Sequence, residues 1–156
     1  AAAATTAPCH VLLTADGAVS YYLPPGRWTH FLTGAVVEGG CWQRETHDYL
    51  SLPLMVRPNS VIPVGAHDER PDYDYADGVT FHVFALDDGA TAVATVPDAQ
   101  GREALRVEVT RAGDTVTARS SGAQKPWRVL LRGLPGGDVL SEMTTGAEVR
   151  VRAANV

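Results

Sequence analysis

The sequence predicts an all-β protein: two small antiparallel β-sandwich domains joined by a polar linker. Three observations predict it. No window of a dozen residues keeps an apolar stripe at helical spacing. Apolar and polar residues alternate over short runs, most cleanly at residues 103–111, where Leu105, Val107 and Val109 oppose Arg106, Glu108 and Thr110. Fifteen glycines and ten prolines break the chain into short pieces, with the roughly 8–12-residue spacing of sandwich strands in the second half.

Taken in order, residues 9–14 and 18–23 read as strands flanking Ala15-Asp16-Gly17. An Asp-Gly pair between β-rich runs is a hairpin signal. Pro24-Pro25-Gly26 stops the second strand, and residues 28–32 form the next, ended by Gly34. Residues 52–57 and 60–64 read as a pair around Pro58-Asn59, and the prolines at 53, 58 and 63 place them at edges or bulges. Residues 66–78 are polar and acidic, and a domain boundary is expected near His67. The first domain is then residues 1–67 and the second 68–156. In the second, strands are expected at 79–86, 90–96, 103–111, 115–119, 127–132 and 148–152. Asp87-Asp88-Gly89 and Ala112-Gly113-Asp114 supply turns.

With 45% hydrophobic residues, 156 residues can close a core without disulfides or metals. The net charge of −5, with no run of Lys or Arg, argues against nucleic acid and anionic membranes as partners. No apolar stretch reaches the roughly 20 residues that span a bilayer. Residues 1–8 lack the charged and apolar segments of a signal peptide and read as a cut edge. Cys9 and Cys41 make no metal motif, and the pair reads either as two buried thiols or as a disulfide.

Chemistry-bearing motifs are missing. There is no Gly-x-Ser-x-Gly, no His-Glu-x-x-His, no Cys-x-x-Cys and no Gly-x-Gly-x-x-Gly after a strand. Asp68, Glu69, Asp72, Asp74 and Asp77 approach a calcium loop, but the spacing misses by one residue and no Glu closes it. A solvated linker is the better reading, and no metal or other cofactor is expected. The histidines at 10, 30, 47, 67 and 82 are scattered; His82 lies in a strand without a paired nucleophile. Trp28, Trp42 and Trp127 are expected in the core, as tryptophans at strand spacing usually are. Trp42 follows Gly39-Gly40-Cys41, a loop-like context, and with Tyr49 and Tyr73 it is a candidate carbohydrate contact.

The run Tyr21-Tyr22-Leu23-Pro24-Pro25-Gly26-Arg27-Trp28-Thr29-His30 resembles the segment that follows the catalytic barrel in glycoside hydrolase family 31. Phe31-Leu32-Thr33-Gly34 and Gly39-Gly40 match its aromatic-x-x-Gly and Gly-Gly steps. Residues 52–63 resemble its Pro-x-x-Val-Arg-x-Gly-x-Ile-x-Pro strand pair, with Asn59 where most members have Gly. Both tolerate left-handed backbone angles. The full run through His30, together with Arg70-Pro71-Asp72-Tyr73 and Gly78-x-x-Phe81-His82-x-Phe84, points to the bacterial α-xylosidase branch.

The resemblance implies a proximal and a distal C-terminal β-sandwich. It also implies a partner, a (β/α)8 catalytic barrel in the parent enzyme, which carries the two catalytic aspartates. No residue of this chain inherits those roles. Such parents are cofactor-free retaining enzymes that release terminal α-xylose from oligosaccharides, using two carboxyl groups about 5–5.5 Å apart. The expected role here is non-catalytic support of the barrel and oligomerisation. An autonomous carbohydrate-binding module is the alternative. Cytoplasmic location is expected, since bacterial relatives act on imported oligosaccharides.

Overall fold

The computed structural model describes residues 12–14 and 16–153, which form β-strands and no helix. The first half supplies β1 (Leu12–Leu13), β2 (Ala18–Leu23), β3 (Arg27–His30), β4 (Val36–Glu38), β5 (Cys41–Thr46) and β6 (Met55–Val56). They make two three-stranded sheets, ordered β1-β2-β5 and β4-β3-β6. The second half supplies β8 (Val79–Phe84), β9 (Thr91–Pro97), β10 (Glu103–Ala112), β11 (Thr115–Gly122), β12 (Trp127–Arg132), β13 (Val139–Leu140) and β14 (Glu148–Arg152). With β7 (Ser60–Val64) they make two four-stranded sheets, β14-β11-β10-β9 and β13-β12-β8-β7.

Alternation decides which side chains enter the second sandwich. Leu105, Val107 and Val109 of β10 are fully buried, while Arg106 and Glu108 between them are exposed. Ala92, Ala94 and Val96 of β9 repeat the pattern. Facing them are Val79, Phe81 and Val83 of β8, and Trp127, Val129 and Leu131 of β12. Trp127 meets Phe81 edge-on at 6.0 Å and donates its indole N–H to the Gly146 carbonyl at 3.0 Å. That hydrogen bond satisfies the one polar atom this ring carries into the core.

The expected all-β class stands, with differences in detail. Every ladder is antiparallel except β8–β12, which runs parallel from Val79↔Trp127 to Phe84↔Arg132. Strands β9, β10 and β11 lie between them in sequence and cross to the facing sheet, which supplies the long connection a parallel pair needs. The expected pairing of 52–57 with 60–64 does not form. Instead β6 pairs with β3, and β7 with β8.

Asn59 is the cause. It adopts φ 60° and donates its backbone N–H to the Phe84 carbonyl at 2.9 Å. Its side-chain amide meets Asp87 twice, each time at 2.7 Å. The chain is thereby turned off the first half's sheet and onto β8. Pro63 then sits on an edge strand, where its missing N–H costs no ladder bond. The sheet consequently crosses the linker, since β7 precedes His67 and completes a sheet of the second half.

Strands β4, β5 and β13 were not expected. Strand β5 has Gln43, Arg44 and Glu45 at its centre and Trp42 outward, so it offers no inward apolar row to read. Cys41 is exposed rather than a buried thiol. Cys9 and His10 lie outside the described residues.

Candidate functional site

Three surfaces combine aromatic, polar and charged side chains: the seam between the halves, a cleft in the linker, and the outer face of β2 and β5.

The seam is built from β3 outward. After His30 the chain closes a tight turn, with Gly34 N–H donating to the His30 carbonyl at 2.8 Å. His30 Nδ1 accepts the N–H groups of Leu32 and Thr33 at 3.2 and 3.3 Å. This turn thrusts Phe31 against the outward face of β8, where it stacks on His82 at 5.5 Å and 13°. It also lies tilted against Phe84 at 5.8 Å.

Arg132 of β12 closes the other side. Its guanidinium donates to the Phe31 carbonyl and, at 2.9 Å, to Asp138. The guanidinium also lies 5.8 Å from the Phe84 ring centroid. Thr29 packs so close to Gly133 that a Cβ there would lie 2.5 Å from the Thr29 hydroxyl. Glycine is required for that approach, and at φ 69° it is also unstrained. Two buried polar atoms at the seam have no hydrogen-bond partner among the described residues, Thr29 Oγ1 and His82 Nδ1. Burial pushes the His82 pKa below its ordinary value, and Arg132 adds to that push; Asp138 pulls the other way less strongly than Arg132, and Arg128 adds the smallest push downward. The sequence showed His82 only as a strand residue. No signal marked Arg132, because its burial depends on a turn about 100 residues away.

The cleft is open, about 410 Å³, and lined by residues including His67, Arg70, Tyr73 and Tyr75. Tyr73 stands edge-on to His67 and to Tyr75, 5.0 Å from each. Its hydroxyl lies where a Cβ on residue 65 would be, so Gly65 permits the pose. Tyr75 donates its hydroxyl to the Pro71 carbonyl at 2.8 Å. Asp68, Glu69, Asp72, Asp74 and Asp77 are all exposed. Asp74 pairs with Lys125 and accepts the Ala76 N–H at 3.1 Å. Among the described residues, no group of three His, Cys, Asp or Glu side chains is placed to hold a metal ion.

Trp42 lies on β5 rather than on a loop, and it is 63% exposed rather than core. Its cross-strand partner is Tyr22, and the two rings meet edge-on at 5.9 Å. Ser20 and Arg44 form the next pair on the same face. Trp28 and Trp127 are core as expected. Tyr49 stands fully exposed in the loop between β5 and β6, beside an exposed Leu50. The three expected carbohydrate contacts thus sit in different settings: Trp42 on a sheet face, Tyr49 on a loop tip, Tyr73 in the linker cleft.

Comparisons with known proteins match the two halves of the chain to two family models. The family described as "Alpha-xylosidase YicI, C-terminal domain" matches residues 74–156. The glycosyl hydrolase family 31 C-terminal domain matches residues 7–62. Alpha-xylosidase XylQ of Lactiplantibacillus pentosus is 33% identical over 110 residues, covering 69% of this chain and 14% of that protein. An alpha-xylosidase of Emericella nidulans is 32% identical over 120 residues, covering 69% of this chain and 15% of its own length.

Among solved structures, the family 31 alpha-xylosidase of Xanthomonas citri superposes with a TM-score of 0.62 at 22% identity. The match covers 88% of this chain and 17% of that one. A family 31 dextranase of Flavobacterium johnsoniae gives 0.60 at 16%, over 76% of this chain and 17% of its own. At those identities the structural likeness speaks for fold alone. The chain spans about one-seventh of the length of the curated relatives it matches.

Proposed function

This chain belongs to the C-terminal domain family of the α-xylosidase YicI, within glycosyl hydrolase family 31, and from that premise we propose that it is a non-catalytic accessory region of an α-xylosidase-like enzyme. Its first half seats on the (β/α)8 catalytic barrel and the second sandwich braces it. The reacting carboxyl groups belong to the barrel, and the parent releases terminal α-xylosyl residues from oligosaccharides in the cytoplasm.

The observation that carries this reading is the distribution of exposed apolar side chains. Eight of the eleven large exposed hydrophobics among the described residues fall between Tyr22 and Leu54, including Leu32, Val36, Tyr49, Leu50 and Leu52. Single exposed apolar residues are ordinary, but so many in one short stretch of chain leave this unit with apolar side chains that a neighbour would cover. The loop between β5 and β6 brings four of them, Tyr49, Leu50, Leu52 and Leu54. Asp48 braces that loop, its carboxylate accepting the Leu50 N–H and the Ser51 hydroxyl, each at 2.9 Å. A braced loop with apolar tips suits docking.

The test is co-elution with the parent's catalytic barrel, expressed separately. Wild-type chain should co-elute, Tyr49→Ser with Leu50→Ser should not, and neither should release p-nitrophenol from p-nitrophenyl α-xyloside. Hydrolysis by the pure chain, or association indifferent to the double substitution, would sink the proposal. Oligomerisation of the parent is a further role, read by light scattering with and without this region.

A second reading, contact with carbohydrate, is favoured by the Tyr22–Trp42 pair. An exposed indole beside a second ring and Arg44 offers a flat face for sugar C–H groups and a donor at its margin. Titration with xyloglucan oligosaccharides should then give saturable heats that vanish in Trp42→Ala. Flat heats at millimolar sugar would discard it.

A further inference from the structure

The seam contains a titratable group in an unusual position. His82 projects from the outward face of β8, between Ile62 of β7 and Leu130 of β12, its register partners. Phe31 covers it in a near-parallel stack. Its Nδ1 is buried and has no hydrogen-bond partner among the described residues. A neutral imidazole tolerates such a site because one ring nitrogen can remain a bare lone pair. An imidazolium does not, since the buried Nδ1 then carries a proton that needs an acceptor.

The surrounding charges add to the difficulty. Strand β12 contributes Arg128 and Arg132, both cations. Asp138, ahead of β13, is the one anion among the described residues that acts on it, and its carboxylate is already committed to Arg132 at 2.9 Å. Strand β7 brings Ile62 and Val64, which are uncharged. On the turn that carries Phe31, the titratable group is His30, whose Nδ1 is occupied by two backbone donors.

We propose that His82 is an acid-responsive latch between the two halves: neutral, its ring lies flat on Phe31 and holds the turn of residues 31–34 against the second sandwich; protonated, it releases that turn. The direction follows from linkage. Folding lowers the His82 pKa, so the unfolded or opened chain binds the proton more readily. The stability that the closed seam draws from neutral His82 is therefore present above the ordinary histidine value of about 6.5, and is lost as pH falls through that value toward the depressed folded one. The latch concerns the chain's own two halves and is independent of the role proposed for the barrel.

Amide hydrogen exchange across pH 5–8 on the whole chain, corrected for intrinsic rates, tests it. Exchange at Leu32, Thr33 and Gly34 should rise several-fold below pH 6, while β10 amides stay protected. His82→Phe and His82→Gln should both abolish the rise. Since either variant can disturb packing, the wild-type His82 ring is also followed by NMR titration. A ring pKa at or above the ordinary histidine value would overturn the proposal. So would an acid response that survives in both variants.

Discussion

The two halves solve the same problem, closing a small β-unit, with different means. The second buries nineteen apolar residues in one continuous cluster, from Ala76 to Ala153. The first, among the described residues, clusters four, Val19, Tyr21, Leu23 and Trp28, with Val37 and Met55 packed against them. Burial stabilises by about 25 cal/mol per Å² of apolar surface. Among the described residues, the second sandwich therefore draws far more on apolar burial than the first. Burial is thus a matter of how many alternating strands face one another, not of strand content.

The largest effect is expected from a cut in the larger core. Trp127→Ala removes the largest fully buried side chain, and should cost about 3–5 kcal/mol in urea-induced unfolding monitored by near-UV circular dichroism. Arg132→Ala attacks the link instead. It strips the Phe31 carbonyl and Asp138 of their donor, and should cost about 2–3 kcal/mol, with exchange rising first in residues 31–34 rather than in β10. Asn59→Gly keeps the left-handed turn but loses both bonds to Asp87. It should lower stability by about 1 kcal/mol and leave the fold unchanged by NMR.

Ala85 provides a smaller test with the opposite sign. It is buried with φ 41°, and its N–H donates to the Arg132 carbonyl at 2.7 Å. Ala85→Gly relieves a left-handed strain of about 1–2 kcal/mol, partly offset by chain entropy. A net gain of a few tenths of a kcal/mol is expected by thermal melting. The smallest effect belongs to Tyr49→Ser with Leu50→Ser. Those side chains touch water here, so unfolding of the isolated chain should shift by less than about 0.5 kcal/mol.

Legibility in the sequence followed the same divide. In the second half, strands β8 to β12 and β14 fall within a few residues of expectation, because one buried face imposes period two on the sequence. Fewer of the first half's strands were legible. Strand β5 carries Gln43 and Glu45 inward and Trp42 outward, and β6 is only Met55–Val56. A unit that buries little has little reason to alternate. Among candidate site residues, Trp42, Tyr49 and Tyr73 were marked as aromatic in turn-rich context, which finds rings but not whether they converge. The seam was invisible, since Phe31, His82 and Arg132 become neighbours only through folding.

By itself the sequence determined the all-β class, the strands of the second sandwich, the left-handed turn at Asn59 and the family. Each rests on local spacing or on a contiguous motif, and local spacing is set by backbone geometry. Only the tertiary structure decided that β7 joins the second half's sheet, that β8 and β12 run parallel, that Trp42 faces water, and that Arg132 is buried. These depend on which surfaces meet across many residues, and chain order does not encode that meeting in any single window.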